Sequence, residues 1–379
     1  MDWDHARRIL LCLRYGIGDV VMETPVLTAL RRAAPAARIT ALGAPPAVEL
    51  LQGDPRVDEV VGIDRWGVSH RWDEGTPAAR RAIATWVADQ GFDLYLDVHH
   101  AAVAVSHAIW ERGIRSLEAD EGAEEAAVAA GGDAIAAIKA AVRKGWGLDV
   151  APELQTELHI TDDDRRAAQA LLDGIGNDGA APVAISPVAS LPMKRWPAER
   201  FAAAADWVVE ATGRTPLLLC DPRGEAGDRV LGAMRHPERV VRIGAPDLRK
   251  AAAILARCAL FLCNDTGLLH IAAAVGTPVI GVFGPTIPWI YRPPVPHAVG
   301  LVGRDIVCPY RNTASLQPPG CWNSDRCLIA EESCIGRVSV RAVVAAMRRV
   351  LAPGKRAEPG RAGAGGERSG AVGLDPGDA

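Results

Sequence analysis

The chain has 379 residues, and at roughly 150 residues per domain this length predicts two domains. Its 42 basic and 46 acidic side chains give a formal net charge of −4, so it lacks the basic character expected of a nucleic-acid-binding protein. No run approaches the roughly 18 apolar residues of a transmembrane helix, and the N-terminus lacks the basic and apolar regions of a signal peptide. The sequence therefore predicts a cytoplasmic location.

Short apolar runs alternate with helical patterns along residues 1–174, which is typical of a parallel α/β domain. The first predicted strand, Arg8–Arg14, leads into Gly16-Ile17-Gly18-Asp19, and a helix is predicted from Val20 to Ala34. Further strands are predicted at 39–42, 59–63 and 93–98. Helices are predicted at 47–52 and 76–90, after the strand 93–98 as far as residue 110, and within the Ala-rich stretch 117–147. The small and polar residues 175–181 are predicted to be a linker.

The alternation restarts in residues 182–335, which predicts a second domain of the same kind. Within it we expect a Cys-rich loop at 303–335, followed by an amphipathic helix within 336–352. Residues 353–379 have little apolar surface to bury and are predicted to be a disordered tail. The predicted fold class is therefore α/β, with two Rossmann-like domains facing each other across a cleft. Ligands of open parallel sheets bind at the carboxyl ends of the strands, which makes the loops there the candidate sites.

The strongest candidate follows the predicted strand 260–263. Asp265, Thr266 and Gly267 open a helix there, with His270 one turn later. A helix N-terminus offers free N–H groups and a positive dipole end, which suit an anion such as a diphosphate. The same residue types also form an ordinary helix cap without a ligand, and His270 is equally compatible with bracing the loop.

Two further candidates follow other predicted strands of the second domain. Lys194 lies in a loop of a chain with only five lysines, and its ammonium suits a phosphate oxygen. Glu225 follows Asp221-Pro222-Arg223-Gly224, where a carboxylate can accept hydrogen bonds from ribose hydroxyls. The alternatives are a solvated basic loop for Lys194 and a first-turn glutamate favoured by the helix dipole for Glu225.

The first domain contributes a carboxylate beside two glycines. Gly16 and Gly18 allow a tight turn and a close approach of a ligand to the backbone. Asp19 follows them at the carboxyl end of the first strand, where it can accept a proton from an attacking hydroxyl. Asp19 also suits the start of the following helix, and both roles are compatible.

Three segments together resemble the bacterial glycosyltransferase family 9, the ADP-heptose:lipopolysaccharide heptosyltransferases. They are residues 8–60, which contain the Gly-Asp turn and the Asp-Pro-x-Val-Asp-Glu-Val phrase, the Lys-Arg-Trp-Pro segment 194–197, and the run Asp-Thr-Gly-x-x-His-x-Ala-Ala-x-x-Gly-Thr-Pro at 265–278. The segments occur in the same order as in the family, and the resemblance extends over about residues 8–351. The resemblance implies the two-domain fold of B-type nucleotide-sugar transferases, with the acceptor on the first domain, the nucleotide-sugar on the second, and a last helix that crosses back to the first domain.

The resemblance also implies an activity. It is the inverting, metal-independent transfer of a heptose or similar sugar, without a cofactor, from an ADP-activated donor to a hydroxyl of a lipopolysaccharide-core-like or other cell-envelope glycan. Asp19 is then the base, Lys194 neutralises the leaving diphosphate and Glu225 binds the ribose. The remaining implied contacts are Asp265, Thr266, Gly267 and His270 on the donor side, and Gly16 and Gly18 on the acceptor side. Members act on a lipid-linked acceptor at the inner face of the plasma membrane, which implies at most peripheral membrane contact.

Other interpretations remain open. One is a family 9-like transferase with a different nucleotide-sugar and a non-lipopolysaccharide acceptor, and another is a catalytically silent nucleotide-sugar-binding protein. The presence together of Asp19, Lys194 and Asp265 argues against silence. Four late cysteines form a weak candidate for a structural metal site, since no Cys-x-x-Cys pair occurs, and free thiols or a disulfide are the alternatives. They are Cys308, Cys321, Cys327 and Cys334.

Overall fold

The structure is a computed structural model that describes residues 3–69, 73–98, 103–175, 180–303, 308–310, 316, 319–322, 324–352 and 372–373. The chain divides into two compact units, Met1–Thr161 and Asp162–Ala379. Each unit is built on its own parallel sheet. Within the described ranges, no helix combines the length and the apolar character that a membrane span needs.

The first unit contains a five-stranded sheet in the order β3-β2-β1-β4-β5. Its strands are β1 (Arg8–Cys12), β2 (Arg38–Gly43), β3 (Glu59–Gly62), β4 (Leu94–Asp97) and β5 (Arg115–Glu118). Its helices are α1 (Ile17–Ala33), α2 (Pro77–Gln90), α3 (Val103–Glu111), α4 (Glu121–Ala129) and α5 (Ala134–Trp146). Short 3-10 helices occupy Trp3–His5, Val48–Leu51 and Ile63–Trp66. The central strand β1 is buried beyond its first residue, as expected of a strand covered on both faces.

Helix α1 runs without a break through an internal proline. Pro25 has no N–H, so the carbonyl of Val21 loses its usual donor. The hydroxyl of Thr24 donates to that carbonyl at 2.7 Å and replaces the missing hydrogen bond. The helix therefore stays regular enough to cover the sheet, with residues 20–27 buried.

The second unit contains a seven-stranded sheet in the order β12-β11-β10-β9-β6-β7-β8. Its strands are β6 (Val183–Ser186), β7 (Pro216–Leu219), β8 (Val241–Ile243), β9 (Leu260–Asn264), β10 (Val279–Phe283), β11 (Ala298–Val302) and β12 (Val372–Gly373). Its helices are α6 (Asp162–Asp173), α7 (Ala198–Thr212), α8 (Glu225–Ala233), α9 (Leu248–Leu255), α10 (Gly267–Ala274), α11 (Pro288–Tyr291) and α12 (Val340–Leu351). Short 3-10 helices occupy Pro192–Lys194 and Pro237–Arg239.

Both sheets reverse their strand order next to their first strand. β1 lies between β2 and β4 in the first unit, and β6 lies between β7 and β9 in the second. At such a switch point the connections leave toward opposite faces of the sheet and open a crevice at the carboxyl ends of the strands. The turn with Asp19 follows β1, whereas the loops with Lys194 and Asp265 follow β6 and β9.

The unit boundary lies earlier than the predicted end of the first domain at residue 174. Helix α6 belongs to the second unit because it packs on α9. Arg249 forms an ion pair with Asp164, and Arg257 donates to the Gln169 side chain at 2.6 Å. Of the predicted linker 175–181, residues 176–179 lie outside the described residues.

The last helix, which the resemblance expects to cross back to the first domain, contributes to the core of the second unit. Helix α12 places Val343, Ala346 and Met347 in the apolar core of the second unit, and it packs on α7. Most of the predicted tail 353–379 lies outside the described residues, and Val372–Gly373 forms the short strand β12 on β11. Three described strands were missed: β5, whose exposed edge lacks an apolar run, β11, which lies among prolines, and the two-residue β12 within the predicted tail.

Candidate active site

A buried ion pair joins two predicted site residues at the carboxyl edge of the second sheet. The ammonium of Lys194 lies 2.7 Å from Oδ2 of Asp265, and the side chains are only 14% and 6% exposed. Lys194 ends a 3-10 helix after β6, and Asp265 directly follows β9, the neighbour of β6. The order of the parallel strands therefore brings together residues that are 71 positions apart in the chain.

Thr286, after β10, holds the same carboxylate. Its hydroxyl donates to Oδ2 of Asp265 at 2.5 Å, and the N–H of Asp265 donates to the carbonyl of Val282 at 3.1 Å. The carboxylate and the N–H of Asp265 are thus both engaged within the protein. The structure thus places Asp265 between Lys194 and Thr286, and the donor contact that the resemblance implies for Asp265 stays a prediction.

The buried amide of Asn264 fixes the loop that carries Lys194. Its Oδ1 accepts the N–H of Trp196 at 3.0 Å, and its Nδ2 donates to the carbonyl of Pro187 at 2.9 Å. The indole N–H of Trp196 in turn donates to the carbonyl of Val338 at 2.9 Å. A buried amide with satisfied hydrogen bonds restricts a loop to one geometry, so Lys194 is presented from a rigid support.

The start of α10 follows directly on Asp265. Thr266 is its N-cap residue, with extended backbone angles, yet its side chain does not cap the helix. The hydroxyl oxygen of Thr266 is buried and has no hydrogen-bond partner within the described part of the chain. The N–H groups of Gly267 and Leu268 precede the first hydrogen bond of the helix, in which Leu269 donates to the carbonyl of Thr266 at 3.0 Å, and they lie at its positive dipole end. His270, 5% exposed, follows on the same helix.

Glu225 lies at the carboxyl edge of the same sheet, as the first residue of α8 after β7. Gly224 precedes it with φ 77°, a left-handed conformation that favours glycine. The carboxylate of Asp221 accepts the N–H groups of Gly224 and Ala226 and so caps the helix. The Glu225 side chain is exposed and is therefore accessible to a ligand.

The first unit presents Asp19 in the opening turn of α1. Gly16 is the N-cap residue and Gly18 lies in the first turn, next to Asp19. A Cβ atom at position 16 would overlap the Asp19 carboxylate, so the absence of a side chain there leaves room for it. Asp19 is partly exposed and is therefore accessible to a ligand.

A buried charged cluster that the sequence analysis did not predict lies one helical turn beyond Asp19. Glu23 has no exposed surface, and its Oε1 lies 3.3 Å from Nε of Arg14. The backbone N–H of Arg14 donates to Oε2 of Glu23 at 3.2 Å. Nη2 of Arg14 also donates to Oε1 of Glu124 in α4 at 2.7 Å. One guanidinium thus holds two buried carboxyl groups next to the turn that carries Asp19.

Two side chains around Lys194 and Asp265 were not predicted as site residues. Thr286 follows β10 in a Gly-Pro-Thr segment, and Trp322 lies in the Cys-rich segment, with its ring centroid 4.4 Å from the Lys194 ammonium. For Glu23, a usable signal was its place inside the apolar run Val20–Leu27, where a charged residue is unexpected.

The four late cysteines lie around one pocket, together with Met193 and Pro285. Burial raises the pKa of the Cys321 thiol, and the neighbouring thiols of Cys334, Cys308 and Cys327 act in the same direction. All eight cysteines are free thiols. Within the described residues, no group of three or more His, Cys, Asp or Glu side chains is arranged to hold a metal ion. The structure thus gathers the cysteines without forming a ligand set.

The sequence model of glycosyltransferase family 9 (heptosyltransferase) matches residues 121–312, just over half of the chain. The chain belongs to glycosyltransferase family 9. The resemblance stated from the sequence motifs is thereby confirmed. The family 9 protein lipooligosaccharide heptosyltransferase 2 of Haemophilus influenzae is 35% identical over 115 residues, which are 29% of this chain. These residues are 33% of that protein, so the chain matches about a third of the length of this curated relative.

Solved structures of the family share the fold over nearly the whole chain. A glycosyl transferase family 9 protein from Veillonella parvula has a TM-score of 0.74 at 22% identity, covering 93% of this chain and 98% of that one. The ADP-heptose lps heptosyltransferase II of Escherichia coli has a TM-score of 0.65 at 18% identity, covering 91% and 98%. The predicted architecture of two Rossmann-like α/β units, of the B type, is confirmed.

Proposed function

We propose that this family 9 chain transfers a heptose, or a similar sugar, from an ADP-activated donor to a hydroxyl of a lipopolysaccharide-core-like or other cell-envelope glycan. The observation that carries the proposal is the Lys194–Asp265–Thr286 arrangement at the switch point of the second sheet, beside the start of α10. The similarity to the lipooligosaccharide heptosyltransferase of Haemophilus influenzae and to the ADP-heptose lps heptosyltransferase of Escherichia coli supports this class of donor and acceptor.

The donor side provides for a departing diphosphate. Lys194, held by Asp265, keeps two further N–H donors for phosphate oxygens. The buried hydroxyl of Thr266 and the first N–H groups of α10, including that of Gly267, supply neutral donors at a positive helix end. We propose that these groups stabilise the leaving ADP without a metal ion, because a cation and oriented dipoles aimed at the developing charge perform this task.

The acceptor side provides the base. Asp19 accepts the proton of the acceptor hydroxyl while the oxygen forms a bond to the anomeric carbon of the sugar. The bond between that carbon and the diphosphate oxygen breaks, and the electron pair leaves with ADP. Attack from the side opposite the leaving group inverts the anomeric configuration. Gly16 and Gly18 leave the backbone accessible beside the acceptor.

The remaining predicted residues complete donor recognition. The exposed carboxylate of Glu225, at the end of β7, accepts hydrogen bonds from the ribose hydroxyls of the nucleotide. His270 supports the start of α10 from within the helix. We place the reaction in the cytoplasm. Because the acceptor class is lipid-linked, we expect at most peripheral contact with the membrane.

A panel of donors tests the proposal. The protein is incubated with ADP-heptose or with UDP-, GDP- and dTDP-sugars, each with a core-oligosaccharide acceptor, and released nucleotide is measured with and without EDTA. We expect turnover with ADP-heptose, no effect of EDTA, and inverted anomeric configuration in the product by NMR. Turnover only with another nucleotide-sugar would contradict the assignment of ADP-heptose as the donor. Loss of turnover in EDTA would contradict metal independence. Nucleotide binding without any turnover would favour a catalytically silent protein.

A further inference from the structure

The cluster of Arg14, Glu23 and Glu124 has no part in the chemistry described above, yet it is built around the turn that presents Asp19. Glu23 lies four residues after Asp19 on α1, which places both side chains on one face of the helix. Arg14 lies just before the turn, and its backbone N–H donates to Glu23 at 3.2 Å. Glu23 therefore ties Arg14, at the start of the segment 14–19, to the helix that carries Asp19.

The charges around Glu23 are unusual for a buried carboxyl. Burial raises its pKa to about 8, the charges of Asp19 and Glu124 act in the same direction, and Arg14 opposes them. Oε1 of Glu23 lies 3.3 Å from Nε of Arg14 without forming a hydrogen bond to any described residue. A pKa of about 8 favours the protonated carboxyl at neutral pH and places its ionisation within the pH range of enzyme assays.

Helix α5 also packs against α1, and its basic side chains are engaged elsewhere. Lys139 donates to the carbonyls of residues 151, 152 and 154 at 3.3, 2.8 and 2.6 Å. Arg143 donates to Asp149 at 2.9 Å, and Lys144 donates to Asp120 at 3.2 Å. The charged groups that face Glu23 are therefore Arg14, Asp19 and Glu124.

We propose that Glu23 is a positioning residue for Asp19, which it serves by fixing, through Arg14, the turn that carries Asp19. This inference rests on the proposed function, in which Asp19 is the base. While Glu23 is protonated, the charge of Arg14 is paired with Glu124. When Glu23 ionises, Arg14 also forms a full ion pair with Glu23. The stronger pairing holds the turn that carries Asp19 more tightly, and a better placed base raises kcat.

The test compares pH profiles of kcat, measured with ADP-heptose and a core-oligosaccharide acceptor. In the wild type we expect kcat at pH 9 to exceed kcat at pH 6.5 by about threefold, with the step centred near the pKa of Glu23. Glu23→Gln has the size of the protonated carboxyl but cannot ionise, so its ratio should be about one. The matched control Glu49→Gln removes an exposed carboxylate of the same unit and should keep the wild-type ratio.

A second variant tests the fixing of the turn. Glu23→Leu removes the acceptor for the Arg14 N–H, and kcat should fall about tenfold while the KM for ADP-heptose stays the same. In an Asp19→Asn background the same change should have no further effect, because Glu23 acts through Asp19. The folding of Glu23→Leu is checked by circular dichroism and by ADP binding. If this variant does not fold, Glu23→Gln provides the readout.

The outcomes separate the two proposals. A wild-type profile without the rise, or a rise that persists in Glu23→Gln, would overturn the role of Glu23 while Asp19→Asn still loses activity. Near-normal kcat in Asp19→Asn would overturn the base assignment itself and, with it, the role of Glu23.

Discussion

Lys194 and Asp265 form an ion pair of 2.7 Å although β6 and β9, the strands that position them, are separated by two intervening strands in the sequence. The pairing depends on the strand order of the second sheet, in which β6 and β9 are neighbours. Thr286 reaches the same carboxylate from β10, the next strand. The result is an ammonium held rigidly beside a helix N-terminus, which is the arrangement that a departing diphosphate needs.

Replacement of Lys194 tests this arrangement. In Lys194→Met, kcat should fall by about 10²-fold and the affinity for ADP should fall as well, because the cation acts on both the bound and the departing diphosphate. Steady-state kinetics and calorimetric titration with ADP measure the two effects. The control Lys250→Met removes an exposed lysine that pairs with Asp247, and it should leave both values unchanged. Loss of kcat with unchanged ADP affinity would contradict a diphosphate contact in the ground state.

Replacement of Thr266 by valine should stabilise the free protein and weaken its binding of the donor. Thr266→Val replaces a buried hydroxyl that lacks a partner among the described residues with a methyl group of similar size. The free protein should become more stable by about 1 kcal/mol, because an unsatisfied polar group is removed. The KM for the donor should rise several-fold, because a hydrogen bond to phosphate is lost. Thermal unfolding with and without ADP measures both, and a variant less stable without ligand would contradict the free hydroxyl.

Gly16 is needed because the Asp19 carboxylate lies over it. In Gly16→Ala the new Cβ atom would overlap that carboxylate, and Asp19 must move. We expect kcat to fall about tenfold while ADP affinity is kept, since a misplaced base affects the chemical step and not donor binding. The control Gly232→Ala adds a Cβ atom with no atom within 4 Å and should behave as the wild type. Wild-type kcat in Gly16→Ala would show that the position of Asp19 is not limiting.

Glu23 should make the stability of the protein depend on pH. Its pKa is raised from the ordinary 4.5 to about 8 in the folded state, so the folded protein keeps a proton that the unfolded chain loses above pH 4.5. The associated stability is fully present below pH 4.5 and is lost as the pH rises toward 8. Relative to Glu23→Gln, the wild type should lose on the order of 2–4 kcal/mol between pH 5 and pH 8.5 in urea unfolding. A difference that is the same at every pH would contradict the shifted pKa.

The sequence was informative where local patterns determine position. Buried apolar runs identified most of the described strands, and the polar residues after them, including Asp19, Lys194 and Asp265, were found at the predicted strand ends. The exposed edge strand β5 lacked such a run and was missed. The contacts of Glu23 with Arg14 and of Lys194 with Trp322 depend on tertiary packing, which a single sequence does not display.

The assignment of α6 and α12 shows a second limit. The amphipathic pattern predicted α12, and the predicted boundary at residue 174 put α6 in the first domain, but a pattern does not state which sheet an apolar face will cover. The described contacts place α6 on α9 and α12 on α7, within the second unit. The partner of a terminal helix is therefore decided by surfaces that fold from distant parts of the chain.

The most direct test of the central claim is mass spectrometry of the acceptor after reaction with ADP-heptose. A panel of core-oligosaccharide acceptors is incubated with the wild type, Asp19→Asn and Lys194→Met, and the glycan products and released ADP are quantified together. The account predicts one added heptose per ADP released with the wild type, and at least about 10²-fold less product with either variant. Equal product from Asp19→Asn, or ADP release by the wild type without any glycosylated acceptor, would contradict it.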